Sequence, residues 1–144
     1  MKTVGDILRK KGNHVHTTSP HATVLQALTL MAEHDVGALL VVDGRHIEGI
    51  VSERDYARKV ILKGKSSREL TVSEVMSRNV LFVSSAETME ACMALMTDKH
   101  IRHLPVLDNA ELVGLVSIGD IVKGVIEEKQ GEIRQLESYI YGIQ

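Results

Sequence analysis

Aromatic side chains are nearly missing from this chain: Phe82, Tyr56, Tyr139 and Tyr141 are all it has. A platform on which single-stranded nucleic acid stacks its bases therefore has almost nothing to be built from. An excess of one charge is also missing, with 17 Lys and Arg against 19 Asp and Glu. No broad positive field holds a nucleic-acid backbone or an anionic membrane, and only a local anion site is left open. The one cysteine, Cys92, has no partner for an internal disulfide and no second thiol at metal-ligand spacing, which favours a reducing compartment. No apolar run approaches the ~20 residues of a membrane span, and Met1 to Asp6 lacks the apolar stretch of a signal peptide, so a soluble, cytoplasmic protein is expected. Of the seven histidines, His14 and His16 alternate as on a strand and His34, His46, His100 and His103 are scattered, so no metal site is expected. Neither a Gly-x-Ser-x-Gly signature nor a glycine-rich phosphate loop is present. The expectation is a protein that is not an enzyme and carries no catalytic cofactor.

What the chain does have is said twice. Val15 to Ile61 falls on Val80 to Ile126 without a gap, with about fourteen identical pairs. At 144 residues this points to two half-size repeats that share a core, since neither buries enough apolar surface alone. The helical stripe Val24, Leu25, Ala27, Leu28, Leu30 and Met31 is matched by Met89, Cys92, Met93, Leu95 and Met96. Each is followed by an apolar run, Ala38 to Val42 or Leu104 to Leu107, a turn at Asp43-Gly44 or Asp108-Asn109, and a second run ending in Val51-Ser52 or Val116-Ser117, which reads as a hairpin. Helices are expected over Glu53 to Lys63 and Ile118 to Gln130, with short leading strands at Val15 to Thr17 and Val80 to Val83. Each unit is then strand, helix, strand, strand, helix, an α+β fold.

The lead-in segments Thr3 to Leu8 and Thr71 to Met76 also match, slightly out of register, which implies a few extra residues around Lys10 to Asn13. Gly64 to Arg68 is polar and reads as a linker. The expected division is 1–64 for the first repeat with its lead-in helix, 71–127 for the second, and 128–144 for a helical tail. In that tail Ile133, Leu136, Ile140 and Ile143 recur at helical spacing, as in a helix that docks on its own chain or a second subunit. The helices after each hairpin carry Ala57, Val60, Ile61 and Ile121, Val122, Val125, Ile126. These apolar faces predict a homodimer.

Gly49-Ile50-Val51-Ser52-Glu53-Arg54-Asp55 is repeated as Gly114-Leu115-Val116-Ser117-Ile118-Gly119-Asp120. Ser-x-x-Asp at a strand-to-helix junction is the spacing of a capping box, in which serine and aspartate satisfy each other's backbone amides. The same carboxylate can accept from both hydroxyls of a ribose beside a helix N-terminus suited to phosphate. Both readings stand on these residues alone.

With Ile101-Arg102-His103-Leu104-Pro105-Val106 and its counterpart Val36-Gly37-Ala38-Leu39-Leu40-Val41, these motifs resemble the CBS domain family over roughly Val4 to Glu127. The resemblance implies two β-α-β-β-α units packed sheet to sheet as a pseudo-twofold pair, with adenosine ligands in the clefts between them. It assigns the ribose hydroxyls to Asp55 and Asp120, with Ser52 and Ser117 close to ribose or phosphate. Val36, Gly37 and Ala38, and Ile101, Arg102 and His103, would line the adenine or phosphate path. Arg102 and His103 have no charged counterparts at Gly37 and Ala38, so inequivalent sites are expected. Arg54, Arg58 and Lys59 could add charge on the first side, and His103 as imidazolium would favour phosphate below a pH of about 6.5. The implied role is a stand-alone sensor of AMP, ATP or NAD acting on a separate, unknown protein target. The alternative is an assembly module with vestigial nucleotide sites.

Overall fold

The computed structural model describes residues 2–141. In chain order the elements are α1 (Val4–Lys11), β1 (Thr17–Thr18), α2 (Val24–His34), β2 (Ala38–Asp43), β3 (His46–Ser52), α3 (Glu53–Lys59), a 3-10 turn (Ile61–Lys63), α4 (Val72–Val75), α5 (Met89–Lys99), β4 (His103–Asp108), β5 (Glu111–Ser117) and α6 (Ile118–Tyr141). The fold is α+β. Among the described residues no helix is long and apolar enough to cross a membrane.

One compact unit spans Val15–Val80, and the other joins the segment ending at His14 to the segment starting at Leu81. The lead-in helix α1, grouped with the first repeat by sequence order, thus packs in the unit of the second. α4 packs in the unit of the first. The reason is visible in the backbone. Val4 donates to Glu87 O at 2.8 Å and Gly5 to Ser85 O at 2.8 Å, while Val72 donates to Ala22 O at 2.8 Å and Ser73 to Pro20 O at 3.0 Å. The lead-ins use equivalent bonds to seat themselves on equivalent loops.

In the Val15–Val80 unit, β1 runs parallel to β2 and β2 antiparallel to β3. Val24, Ala27, Met31, Leu39, Val41, Val51, Val60, Val72, Val75 and Met76 form its core. The second unit pairs β4 with β5 in the same register, with the same bulge one residue after the centre. Val4, Ile7, Leu8, Met89, Cys92, Met96, Leu104, Val106, Val116 and Ile121 lie in its core. Cys92 is a free, buried thiol that burial, with Glu87 nearby, pushes up to about 11. It is unreactive packing.

Four elements differ from the sequence expectation. The leading strand expected at Val15 to Thr17 forms instead as β1 over Thr17–Thr18. The leading strand at Val80 to Val83 is reduced to a single parallel bridge between Val83 and Val106. In the first unit Leu40 donates to His16 O at 3.3 Å; its counterpart is Pro105, which has no N–H, so the ladder cannot extend. The helix from Glu53 stops at Lys59 and gives way to the 3-10 turn. The tail is continuous with α6, a helix of 24 residues. Ile133, Leu136 and Ile140 are exposed on it, and Ile143 lies outside the described residues. The faces expected to drive dimerisation are partly spent within the chain, for Val60 and Ile121 are fully buried and Val125 packs on the core.

The glycine that opens each repeated motif has one job in both copies. A Cβ on Gly49 would lie 2.5 Å from Ser77 O and 3.0 Å from Met76 Sδ; one on Gly114 would lie 2.6 Å from Leu8 Cδ2. Leu8 and Met76 are matching positions of the two lead-ins. The strand is kept bare where a lead-in side chain must press on it.

Candidate functional site

The tripeptide before each hairpin and the Ser-x-x-Asp after it are brought side by side in each repeat. The αL caps Asp35 (φ 52) and His100 (φ 55) end the preceding helices, and Val36 donates to Met31 O at 3.0 Å as Ile101 does to Met96 O at 3.1 Å. The chain then enters its strand with Ala38 opposite Ser52 and His103 opposite Ser117. Glu53 donates to Gly37 O at 3.1 Å and Ile118 to Arg102 O at 2.8 Å, so each tripeptide holds the first amide of the following helix. Val36 and Ile101 pack on the cores of their own units, and Ala38 is buried. Arg102 is exposed.

Both capping boxes form. Ser52 N donates to Asp55 Oδ2 at 2.9 Å and Asp55 N to Ser52 Oγ at 3.2 Å; Ser117 N donates to Asp120 Oδ2 at 2.8 Å and Asp120 N to Ser117 Oγ at 3.1 Å. The capping reading is therefore true of both aspartates, whatever else they do. Each carboxylate also carries an ammonium. Lys59 Nζ lies 3.1 Å from Asp55 Oδ1 and donates to Val75 O at 2.8 Å; Lys11 Nζ lies 2.6 Å from Asp120 Oδ2 and donates to Leu115 O at 2.8 Å.

The two lysines arrive by different routes. Lys59 sits on α3, four residues after its aspartate. The corresponding position of α6 is Gly124, whose Cβ would stand 2.6 Å from Met89 Sδ, so a side chain there would have to displace the buried Met89. The cation comes instead from the last residue of α1, which runs to Lys11 while the matching α4 ends at Val75. Lys11 was not among the residues the motifs pointed to. The signal was there: the out-of-register residues around Lys10 to Asn13 lengthen one lead-in only.

Electrostatics separates the sites further. Burial pushes the Asp120 carboxyl up, but the Lys11 ammonium and the Ser117 amide and hydroxyl outweigh it and hold it below the usual range. His103 moves the opposite way from what phosphate binding as imidazolium requires. Burial lowers its pKa, and the Lys11 and Arg102 charges outweigh the pull of Asp120. The switch expected near pH 6.5 therefore falls lower. Of the first-repeat cations, Lys59 is committed to Asp55, Arg58 is exposed and Arg54 half-buried on the first turn of α3.

Beside Asp120, between α1 and α6, lies a cavity of about 180 Å³ lined by Lys2, Lys10, Lys11 and Lys123 against Asp6, Asp120 and Glu127. Clefts that bury a whole small-molecule ligand run to ~300–1,000 Å³, so this one accommodates part of a nucleotide at most. Its lysines are largely paired, Lys10 Nζ standing 2.9 Å and Lys2 Nζ 3.5 Å from Glu127 Oε2. Among the described residues no group of three or more His, Cys, Asp or Glu is placed to hold a metal ion.

The CBS domain profile matches residues 4–62 and 72–127. The mitochondrial CBS domain-containing protein CBSX3 of Arabidopsis thaliana is 38% identical over 97% of this chain and 72% of its own length. A signal-transduction protein with CBS domains from Burkholderia ambifaria superposes with a TM-score of 0.85 at 50% identity, covering 88% of this chain and 95% of that one. The CBS domain pair of protein MJ0100, solved with 5′-methylthioadenosine and S-adenosyl-L-methionine, gives 0.77 at 25% identity over 89% and 98%. A hexameric CBS-CP12 protein of bloom-forming cyanobacteria gives 0.75 at 30% identity over 85% and 70%.

Proposed function

The chain belongs to the CBS domain family, and from that premise we propose that it is a regulatory module that binds an adenine nucleotide, AMP, ATP or NAD, and passes its occupancy to a separate protein. Asp55 and Asp120 accept the ribose hydroxyls, Ser52 and Ser117 stand beside ribose or phosphate, and the tripeptides Val36-Gly37-Ala38 and Ile101-Arg102-His103 flank the base and phosphates. No catalytic step is assigned. The observation that carries this reading is the repeated pairing of tripeptide and Ser-x-x-Asp through Glu53 N to Gly37 O at 3.1 Å and Ile118 N to Arg102 O at 2.8 Å. A capping box alone has no need of the same neighbour twice. The lone buried thiol fits a reducing, cytoplasm-like compartment.

Calorimetry of the purified protein against adenosine, AMP, ATP, NAD and S-adenosylmethionine tests this. Saturable heat with at least one of AMP, ATP and NAD is expected, and silence from all of them at millimolar concentration would reject it. Arg102→Ala should weaken the phosphate-bearing ligands by about 1.5–3 kcal/mol and leave adenosine nearly unchanged. The second reading, an assembly module with vestigial sites, is favoured by the exposed apolar residues along α6. It predicts no ligand heat and an intact oligomer.

A further inference from the structure

The outer face of α6 carries Val122, Ile126, Lys129, Ile133, Leu136 and Ile140, spaced alternately four and three residues apart. All five apolar members are exposed, from 42% at Val122 to 70% at Ile140. That is the seam spacing of a two-stranded coiled coil, held for nearly three heptads and about 27 Å of helix. The opposite face of the helix's first half is already taken: Ile121 is buried, Gly124 faces Met89, and Glu127 pairs with Lys10. The chain covers one side of α6 and leaves the seam bare.

We infer that the seam is covered by the same helix of a second copy, running antiparallel and centred on Gly131. Charge decides both the occupant and the direction. In a parallel pair Lys129 would meet Lys129 in the seam and Glu132 would flank Glu137 of the partner subunit, like against like. In the antiparallel pair Val122 meets Ile140 of the partner subunit, Ile126 meets Leu136 and Lys129 meets Ile133. The flanking Lys123 then faces Glu137 of the partner subunit, twice by symmetry. Glu132 lies near its own symmetry mate, and Lys129 Nζ, 3.4 Å away in the same chain, compensates it. A single polar residue in a seam sets register at some cost in stability, which is the part Lys129 plays.

This goes beyond nucleotide binding and is tested without ligand, so the two readings fail separately. The full chain is measured by light scattering and sedimentation across a concentration series, with helicity checked for each variant. Lys123→Glu and Glu137→Lys should each weaken the dimer about tenfold, and the double swap should recover most of it. Lys129→Leu should tighten it, and Leu136→Asp should give monomer. Tightening by Glu137→Lys would establish the parallel pair and overturn the inference. So would a monomeric wild type at high micromolar concentration, a dimer indifferent to Leu136→Asp, or a double swap no better than the singles.

Discussion

The ammonium of Lys11 stands 2.6 Å from Asp120 Oδ2, across 109 residues of sequence. It ties the end of α1 to the first turn of α6, whereas the equivalent aspartate, Asp55, is met by Lys59 from its own helix. Both sites are therefore tied to a lead-in helix, the second by a side chain of α1 itself and the first by Lys59, which also donates to Val75 O at the end of α4 at 2.8 Å.

Removing that cation should be felt in acid. The folded pKa of Asp120 lies below its ordinary value, so its stabilisation is present above about pH 3.9 and is lost as pH falls through the folded value. Lys11→Met should raise the folded value and move the loss to higher pH. Carboxyl-carbon NMR titration of Asp120 measures this directly; an unmoved titration in the variant would mean the pair does not persist in solution.

Asp55→Asn and Asp120→Asn keep an oxygen for the cap but lose the charge. Each should weaken one binding event about ten- to a hundredfold and cost little stability, whereas Asp→Ala should also cost about 0.5–2 kcal/mol of helix capping. Melting curves of the unliganded protein with parallel calorimetry separate the two losses. Unchanged affinity in both Asn variants would return the aspartates to capping alone.

His103 should be neutral throughout the physiological range. Its folded pKa is depressed, so its contribution is fully present above about pH 6.5 and is lost as pH falls, because the unfolded state takes the proton first. His103→Gln should flatten the fall in melting temperature as pH drops below about 6.5. An imidazole C2-proton titration midpoint above 6.5 would contradict the lowering.

Gly114→Ala should destabilise the second unit through its clash with Leu8, by about 1–3 kcal/mol. Leu8→Ala alone leaves a cavity and should cost about 2–5 kcal/mol. The double variant should be less damaged than the sum, with a coupling of about 0.5–3 kcal/mol. Strict additivity would show that the lead-in is not seated on the bare strand.

The duplication, the hairpins, the amphipathic helices and both Ser-x-x-Asp junctions were legible in the chain because each is a local pattern: a period of two or 3.6, a turn pair, a capping spacing. The tertiary structure alone decided which lead-in serves which repeat, since Thr3 to Leu8 and Thr71 to Met76 are nearly equivalent sequences and only packing chooses their seats. It also decided where the cation of the second site comes from. Gly124 denies that position to the helix itself, and Lys11 fills the need from a distant segment, a substitution across space that no periodicity records. The titration of His103 belongs to the same class, because its direction depends on burial and on the charges of Lys11, Asp120 and Arg102, which only folding assembles.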